Sequence, residues 1–301
     1  MGLLDFFRKR ETIFFETIEY NNIHKFHPNA LHDLYKSKKH GFLIKNFLNN
    51  EELNAILDEL PKIENKNIAR TSVGYTYPMV FAEFSLRTDA LSSEEKEVRL
   101  KEFFLHSGNF DQEFKDDYGF DLKSKLDALF NSISGGRPVK VPKGMNQLGS
   151  YPFGNFRYLK PKGGGVSIHC GNFFQTRFRT FYSHLMQKVN VLNQMSYFIM
   201  LQEPEKGGEL DIFNLRWKDG QTKKDNLEDA EIILPNRKVI KPDTDKKYQK
   251  IKIQPKPGDM ILFQGGNIWH RVADILGAKP RITFGGFMGF GHGDKEIYYW
   301  T

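Results

Sequence analysis

The sequence predicts an α+β, mostly β fold, in which a sandwich or barrel of short strands follows a mixed N-terminal segment. From Gly135 onward, short runs rich in β-branched and aromatic residues alternate with Gly and Pro turns. The helical signals lie mainly before that point. The predicted strands are Val139–Val141, Asn155–Leu159, Gly165–His169, Met195–Gln202, Gly208–Phe213, Lys250–Gln254, Met260–Phe263, Asn267–Val272 and Arg281–Phe290.

We expect one domain spanning residues 1–301, with a mixed scaffold at 1–134 and the β-rich core at 135–301. In the scaffold, hydrophobic spacing, capping residues and proline set the element boundaries. The predicted elements are a strand at Gly41–Phe47, a helix from Asn50 that Pro61 ends, a helix from Ser92 to about His106, and a helix from Asp111 to about Ser134.

Two segments interrupt the β pattern. Phe173–Val189 carries one apolar stripe at helical spacing and predicts a helix. Residues 219–250 are polar and Lys-rich and predict an insertion, which is either a lid or a solvated excursion without a role.

The composition narrows the class of protein. The net charge of +7 favours anionic partners, but acids are interspersed and no Arg-rich arm or zinc finger appears, so no nucleic acid is expected. Cys170 is the only cysteine, which excludes an intrachain disulfide. With no signal peptide and no apolar run near ~18 residues, we expect a cytoplasmic protein that acts on a small molecule away from membranes. The oligomeric state cannot be read from the sequence.

Two histidines predict a metal site. His169 ends a β-branched run, His270 lies in an apolar-aromatic strand, and Gly-rich turns precede both. A lone histidine on a strand is more often a core residue, but the paired pattern favours metal ligation. Neutral imidazoles suit Fe(II), which in many oxygenases is held by two histidines and one carboxylate. Two residues after His169, where that carboxylate would stand, the chain has Gly171. Glu209 or Asp211 is the alternative third ligand.

Arg281 and Thr283 predict a site for a dicarboxylate co-substrate. The turn before Arg281 contains Gly277 and Pro280, so the strand can return antiparallel beside His270. An arginine grips a carboxylate through two parallel hydrogen bonds, and Thr283 alternates onto the same strand face. A surface salt bridge is the alternative for Arg281.

From about Arg157 to the C-terminus, the sequence resembles the Fe(II)/2-oxoglutarate-dependent oxygenases with a double-stranded β-helix (jelly-roll, cupin-like) core and flanking helices. Within them, it is most similar to the aliphatic halogenases that act on freestanding small molecules, the hapalindole/welwitindolinone type. The matching stretches are Ile168–Asn172, Met195–Ile199, Gly207–Leu210, Phe213–Trp217, Pro257–Phe263, Gly265-Gly266, His270–Val272, Pro280–Phe287 and Tyr298–Trp300.

The resemblance implies a set of cofactors and roles. His169 and His270 would hold Fe(II), and chloride would take the coordination position left by Gly171. O₂ and 2-oxoglutarate would give an Fe(IV)=O group that starts chlorination of an unactivated aliphatic C–H bond of a small metabolite. Arg281 and Thr283 would anchor 2-oxoglutarate. Further residues implied to face the co-substrate or halide are Arg157, Ser196 and Tyr197, and those expected to line the substrate pocket are Phe81, Asn172 and Phe173.

Two other functions stay open. The same iron chemistry could yield an alcohol, which product mass would reveal. Alternatively, the chain could be an inactive jelly-roll binding module, which would bind no iron and form no succinate. The net positive charge favours an anionic substrate, whereas the aromatic content favours an apolar substrate. The substrate is therefore not determined.

Overall fold

The computed structural model describes residues 12–63, 66, 68–80, 90–172, 183–217, 221–222, 232–233, 239–240 and 250–301. The helices are α1 (Tyr20–Phe26), α2 (Ala30–Tyr35), α3 (Asn50–Ile63), α4 (Ser93–Gly108), α5 (Phe110–Tyr118), α6 (Leu122–Ser132) and α7 (Ser183–Met186), with a 3₁₀ turn at Met145–Gln147.

The strands form one large sheet, one small sheet and a separate three-stranded sheet. The large sheet has ten strands, namely β1 (Phe15–Glu19), β2 (Gly41–Lys45), β3 (Ala69–Thr71), β4 (Gly74–Tyr77), β5 (Val139–Lys140), β6 (Asn155–Leu159), β8 (Met195–Gln202), β14 (Met260–Phe263), β16 (Arg281–Phe290) and β17 (Ile297–Trp300). The small sheet has β7 (Val166–His169), β9 (Leu210–Arg216), β13 (Lys250–Ile253) and β15 (Ile268–Val272). The third comprises β10 (Gln221–Thr222), β11 (Ile232–Ile233) and β12 (Val239–Ile240).

Eight of these strands make a double-stranded β-helix. The order β14-β8-β16-β6 within the large sheet faces the order β13-β9-β15-β7 in the small sheet. Along the chain, β6 to β9 alternate between the two sheets, and β13 to β16 return in the same way. This arrangement is a jelly roll, so the predicted mostly β fold is confirmed.

The two faces of the large sheet have different neighbours. On the outer face, Tyr197, Phe284 and Met288 share one buried cluster with Phe114 of α5 and Leu126 of α6. On the inner face, Ile261 and Phe263 share a second cluster with Leu210 and Ile212 of the small sheet. Since side chains alternate along a strand, one set of positions supports the helices and the other set lines the space between the sheets.

The N-terminal elements match the predictions with two corrections. The helix that starts at Asn50 runs to Ile63 rather than ending at Pro61, because a proline in the last turn removes one backbone hydrogen bond and leaves the following ones available. The helix predicted from Asp111 to Ser134 is two helices. Gly119 adopts a left-handed conformation (φ 72°) after α5, and the Asp121 side chain accepts a hydrogen bond from the Ser124 N–H to cap α6.

The nine strands predicted from Gly135 onward are all present, with ends that differ by up to three residues. The strands missing from the predicted set are β1, β3, β4, β10, β11, β12 and β17. Residues 173–182 of the predicted helix, and most of the insertion at 219–250, lie outside the described residues. Because β1 to β4 belong to the large sheet, the N-terminal segment is built into the same sheet as the core. The division at residue 134 stays a prediction.

Among the described residues, no helix has the length and apolar character that a membrane crossing requires.

Candidate metal and co-substrate site

His169 and His270 lie side by side on the small sheet. β7 and β15 pair antiparallel with His169 opposite His270, and the centroids of the two rings are 4.3 Å apart. Phe263 of the large sheet contacts the His270 ring edge-to-face at 4.9 Å, so the pair faces the space between the sheets. Two imidazoles this close can bind a single metal ion.

Each histidine is held by a carbonyl two residues earlier in its own strand. Nδ1 of His169 lies 2.7 Å from the Ser167 carbonyl oxygen, and Nδ1 of His270 lies 2.8 Å from the Ile268 carbonyl oxygen. Since a carbonyl only accepts, both Nδ1 atoms carry the hydrogen, and the neutral rings have their lone pairs on Nε2. A backbone carbonyl on the far ring nitrogen is a common way to orient a metal-binding histidine.

Both rings are neutral at physiological pH. Burial lowers the pKa of His169 to about 4, and the nearby positive charge of Arg157 acts in the same direction. Burial, His169 and Arg157 hold the pKa of His270 well below its usual range. Metal ligation requires the neutral form, so the folded site needs no deprotonation step to bind a cation.

Gly171 follows the first histidine at the rim of this site. Its N–H donates to the Gly265 carbonyl oxygen at 2.9 Å, and it is buried. Within the described part of the chain, no group of three or more His, Cys, Asp or Glu side chains is arranged to hold a metal ion. The two histidines are therefore the ligand pair that the described residues offer.

Neither acid considered from the sequence serves as a third ligand. Ile212 is opposite His270 across β9 and β15, so its neighbour Asp211 points to the other face of the small sheet. There, Asp211 Oδ2 accepts from Arg271 Nε at 2.9 Å and from Lys250 Nζ at 3.0 Å. Glu209 lies 3.7 Å from Lys252 Nζ. The alternation of the strand thus overturns both alternatives.

Arg281 is a buried cation, and two of its nitrogens have no partner among the residues that the structure describes. Its side chain stacks over Phe198 with 5.0 Å from Cζ to the ring centroid, and the residue is only 2% exposed. Nε and Nη2 have no hydrogen-bond partner among the described residues. Burial and then the charge of Arg157 lower the pKa of Arg281 to about 9. A surface salt bridge is therefore wrong for this residue, and the donors match the two oxygens of a carboxylate.

Arg157 belongs to a polar row on the inner face of the large sheet. Thr76, Arg157 and Thr283 are opposite one another across β4, β6 and β16. The charge of Arg157 lowers the pKa of both histidines and of Arg281, so all four residues belong to one electrostatic environment. Thr283 is buried. Arg157, Thr283 and Arg281 thus lie on one face of the large sheet, and their role in binding a co-substrate stays a prediction.

Two further polar groups at this face were not predicted. Thr76 and Asn155 are buried, and Thr76 Oγ1 and Asn155 Nδ2 have no hydrogen-bond partner among the described residues. Asn155 lies opposite Gly285 of β16, two positions from Arg157 on the same face of β6. In the sequence, Thr76 and Asn155 alternate with the aromatic residues Tyr75, Tyr77 and Phe156, whose rings fill the outer core. This alternation was the sequence signal that could have placed both polar residues on the inner face.

The remaining predicted residues divide between the site and the scaffold. Ser196 lies on the inner face of β8, where a Cβ on Gly265 would overlap its hydroxyl oxygen. Tyr197 faces the opposite way, is fully buried in the outer core, and donates its hydroxyl hydrogen to the Phe153 carbonyl oxygen. The expectation that Tyr197 faces the co-substrate is therefore wrong, because adjacent residues of a strand point to opposite faces.

The predicted pocket residues receive little support. Asn172 is buried and braces a loop, since its Oδ1 accepts from the Asn193 N–H at 2.7 Å and its Nδ2 donates to Asn193 Oδ1 at 3.1 Å. These contacts show that Asn172 supports the loop, and its place in the substrate pocket stays a prediction. Phe81 and Phe173 lie outside the described residues.

Comparisons with known proteins give the family. A comparison with curated protein sequences finds no match. An N-substituted L-amino acid dioxygenase from Burkholderia ambifaria AMMD, solved in complex with α-ketoglutarate, is similar with a TM-score of 0.52 and 14% sequence identity, over 90% of this chain and 90% of that chain. A second structure of this dioxygenase is similar with a TM-score of 0.50 and 12% identity, over 90% of both chains. At such identities, the likeness establishes a shared fold.

The family assignment rests on the sequence and agrees with the resemblance found in the motifs. Residues 13–301 match the family model described as the carrier-protein-independent halogenase WelO5. The match includes both histidines, Gly171 and the whole of the double-stranded β-helix. The chain therefore belongs to the WelO5 family of carrier-protein-independent halogenases.

Proposed function

We propose that this protein is a non-haem Fe(II)/2-oxoglutarate-dependent halogenase that chlorinates an unactivated aliphatic carbon of a freestanding small molecule. The observation that carries the proposal is the histidine pair beside a glycine, where a hydroxylase of this fold would present a carboxylate. Membership of a family of carrier-protein-independent halogenases supports both halogenation and a substrate that is not attached to a carrier protein.

The described residues fit an iron ion. Two neutral imidazoles carry their lone pairs on Nε2, and a carbonyl fixes the orientation of each ring. Removing one carboxylate from a two-histidine, one-carboxylate site leaves one ligand position and one negative charge to be supplied from outside the chain. A halide ion supplies both.

The described residues also fit 2-oxoglutarate. Arg281 would bind the distal carboxylate through Nε and Nη2, which have no partner among the described residues. Thr283 would add a hydroxyl donor on the same strand face. Arg157 gives the site a second positive charge, so a dianion offsets the mutual repulsion that contributes to the lowered pKa of Arg281.

When bound, iron with 2-oxoglutarate and O₂ supplies the oxidising power that removes a hydrogen atom from an unactivated C–H bond. The chain's own contribution is to orient two ligands, leave one coordination position for halide and anchor the co-substrate. Hydrophobic residues between the sheets, including Phe198, Phe263 and Ile212, exclude water from the space around these groups.

Product analysis tests this function. The enzyme with Fe(II), 2-oxoglutarate and air is incubated with pools of small molecules in chloride buffer, and products are examined by mass spectrometry together with succinate. A product with the isotope pattern of chlorine, replaced by that of bromine in bromide buffer, is expected. Succinate formation with an alcohol as the only product in either buffer would favour the hydroxylase. Absence of iron binding and of succinate formation would favour the inactive binding module.

A further inference from the structure

Asn155 carries a buried amide whose donor group has no partner in the described part of the chain. The residue is 4% exposed, and its Nδ2 makes no hydrogen bond to any described residue. A buried N–H group without an acceptor destabilises a folded protein, so native proteins rarely retain one without a reason. The Asn155 amide is therefore a candidate for contact with a bound ligand.

Strand alternation places Asn155 on the inner face of the large sheet. Leu159, four positions later on β6, shares a buried cluster with Val272 of the small sheet. Phe156, the neighbour of Asn155, packs in the outer core. Because successive side chains of a strand point to opposite faces, Asn155 faces the space between the sheets, as Leu159 does.

Four rows of residues cross the inner face of the large sheet, one row for each inner-facing residue of β16. In chain order, these residues of β16 are Arg281, Thr283, Gly285 and Phe287. Asn155 of β6 and Phe198 of β8 both lie opposite Gly285, in the third row. A Cβ at position 285 would overlap the backbone of β8, so β16 places no side chain beside the Asn155 amide.

The fourth row reaches the histidine pair, whereas the first row holds the arginine that would anchor the co-substrate. The residues of the fourth row are Phe287, Ser196 and Phe263. The Phe263 ring contacts the His270 ring at 4.9 Å. Successive rows on one face of a sheet are about 7 Å apart. Asn155 thus lies one row from the residue that contacts His270 and two rows from Arg281.

We propose that Asn155 is a co-substrate-binding residue, whose Nδ2 donates a hydrogen bond to the 2-oxo acid end of 2-oxoglutarate. This inference rests on the proposed function. With the distal carboxylate on Arg281, the rest of the molecule extends along the inner face toward the histidine pair, and the third row lies on that course. A primary amide donates to a carboxylate without adding charge, and hydrogen bonds to charged acceptors are among the strong ones.

The two ends of the co-substrate would then depend on different residues. Arg281 and Thr283, in the first two rows, would recognise the distal carboxylate, which distinguishes 2-oxoglutarate from 2-oxo acids with one carboxylate. Asn155, in the third row, would hold the end that all 2-oxo acids share. The contribution of Asn155 to binding should therefore be independent of the distal carboxylate.

Binding of two 2-oxo acids tests the proposal. Protein with Fe(II) is titrated anaerobically with 2-oxoglutarate or with 2-oxopentanoate, which has the same chain length and no distal carboxylate, while the metal-to-ligand charge-transfer band is recorded. Asn155→Leu removes the donor at similar size, so the Kd of both ligands should rise by roughly ten- to a hundredfold, as for the loss of one hydrogen bond to a charged group. Thr283→Val should raise the Kd of 2-oxoglutarate alone.

The ligand-free protein gives a second readout. Asn155→Leu removes a buried amide donor that has no partner among the described residues, so the melting temperature without metal and 2-oxo acid should equal or exceed that of the wild type. Asn155→Asp keeps the shape and replaces the donor with a carboxylate, which repels the carboxylate of the ligand. Its Kd for both 2-oxo acids should therefore rise at least as much as in Asn155→Leu.

A matched control separates binding from folding. Asn190 Nδ2 donates to the Tyr35 hydroxyl at 3.0 Å, and Asn190 Oδ1 accepts from the Leu192 N–H at 3.3 Å. Asn190→Leu removes both hydrogen bonds, so it should lower the melting temperature and leave both Kd values unchanged.

Three outcomes would overturn the role of Asn155 and leave the halogenase proposal standing. The first is an intact band with unchanged Kd values in both Asn155→Leu and Asn155→Asp. The second is a rise confined to 2-oxoglutarate, because Asn155 would then contact the distal end. The third is a lower melting temperature of ligand-free Asn155→Leu, which would show that the amide is already satisfied. A wild-type protein that forms no band with 2-oxoglutarate would overturn both proposals.

Discussion

His169 and His270 are direct partners in an antiparallel strand pair, although they are 101 residues apart in the chain (270 minus 169). Each ring donates its Nδ1–H to a carbonyl two residues earlier in its own strand. The same local arrangement on two paired strands orients both Nε2 lone pairs before any metal arrives. Little reorganisation is then needed when a cation binds.

The histidine pair should be necessary for metal binding. Replacing His270 with Ala removes one of the two ligands that the described residues offer, so Fe(II) affinity should fall by at least about a hundredfold. His27→Ala is the control, because His27 follows α1 and its Nε2 lies 3.1 Å from Glu16 Oε1, on elements outside the two strands that carry the histidine pair. Anaerobic Fe(II) titration by calorimetry checks this. Equal affinity of the His270→Ala variant and the wild type would rule the pair out as ligands.

Arg281 should stabilise the complex with 2-oxoglutarate at the expense of the ligand-free protein. Arg281→Met removes a buried charge, two nitrogens of which have no partner in the described part of the chain, so the melting temperature of the ligand-free variant should equal or exceed that of the wild type. The stabilisation of the wild type by saturating 2-oxoglutarate should disappear in the variant. Thermal unfolding with and without 2-oxoglutarate measures both effects.

Arg137 provides the matched control for that experiment. Its Nε donates to the Asp294 carbonyl oxygen at 2.8 Å and its Nη1 to the Ser134 carbonyl oxygen at 3.1 Å. Arg137→Met should therefore lower the melting temperature and keep the response to 2-oxoglutarate. If Arg281→Met instead kept that response in full, Arg281 would not be the anchor.

The metal-free protein should lose stability as the pH falls from 7 to 5. Burial lowers the pKa of His169 to about 4, and that of His270 also lies below its unfolded value near 6.5. In this range, the unfolded chain binds protons that the folded chain does not, so the free energy of unfolding decreases with decreasing pH. Urea unfolding in the presence of a chelator, compared with a His169→Asn/His270→Asn variant, measures this difference. A parallel pH dependence of the two proteins would contradict it.

The Thr76 hydroxyl should lower the free energy of unfolding of the ligand-free protein. Its buried hydroxyl oxygen has no partner among the described residues, so Thr76→Val should stabilise the ligand-free protein by about 1 kcal/mol. The contrast is Ser92→Ala, which removes a hydroxyl that caps α4 and should destabilise the protein by about 1 kcal/mol. Urea unfolding distinguishes the two signs, and destabilisation by Thr76→Val would show that the hydroxyl is satisfied in solution.

Strand positions could be predicted from the sequence because, in the β-rich core, short apolar runs alternate with turn residues. The runs at Met195–Gln202, Met260–Phe263 and Arg281–Phe290 have the predicted boundaries, since a Gly or Pro lies within two residues of at least one end of each. Helix breaks were harder. Gly119 lies inside a nearly continuous apolar stripe, and only its left-handed conformation shows that the chain turns there.

The site itself could be predicted in part. His169, His270 and Arg281 stand out because imidazole and guanidinium groups are unusual within apolar strands. The partners could not be read in the same way. Which of Ser196 and Tyr197 faces the site depends on the register of β8, and the position of Asn155 opposite Gly285 depends on the pairing of β6 with β16.

The most direct test of the account is the chloride titration of the anaerobic wild-type complex with Fe(II) and 2-oxoglutarate, with Gly171→Asp alongside. We expect a saturable, chloride-dependent shift of the charge-transfer band in the wild type. The Gly171→Asp variant should form a band that does not respond to chloride, because a carboxylate then occupies the ligand position. A wild-type band that forms but is insensitive to chloride would contradict the claim that halide takes the position left by Gly171.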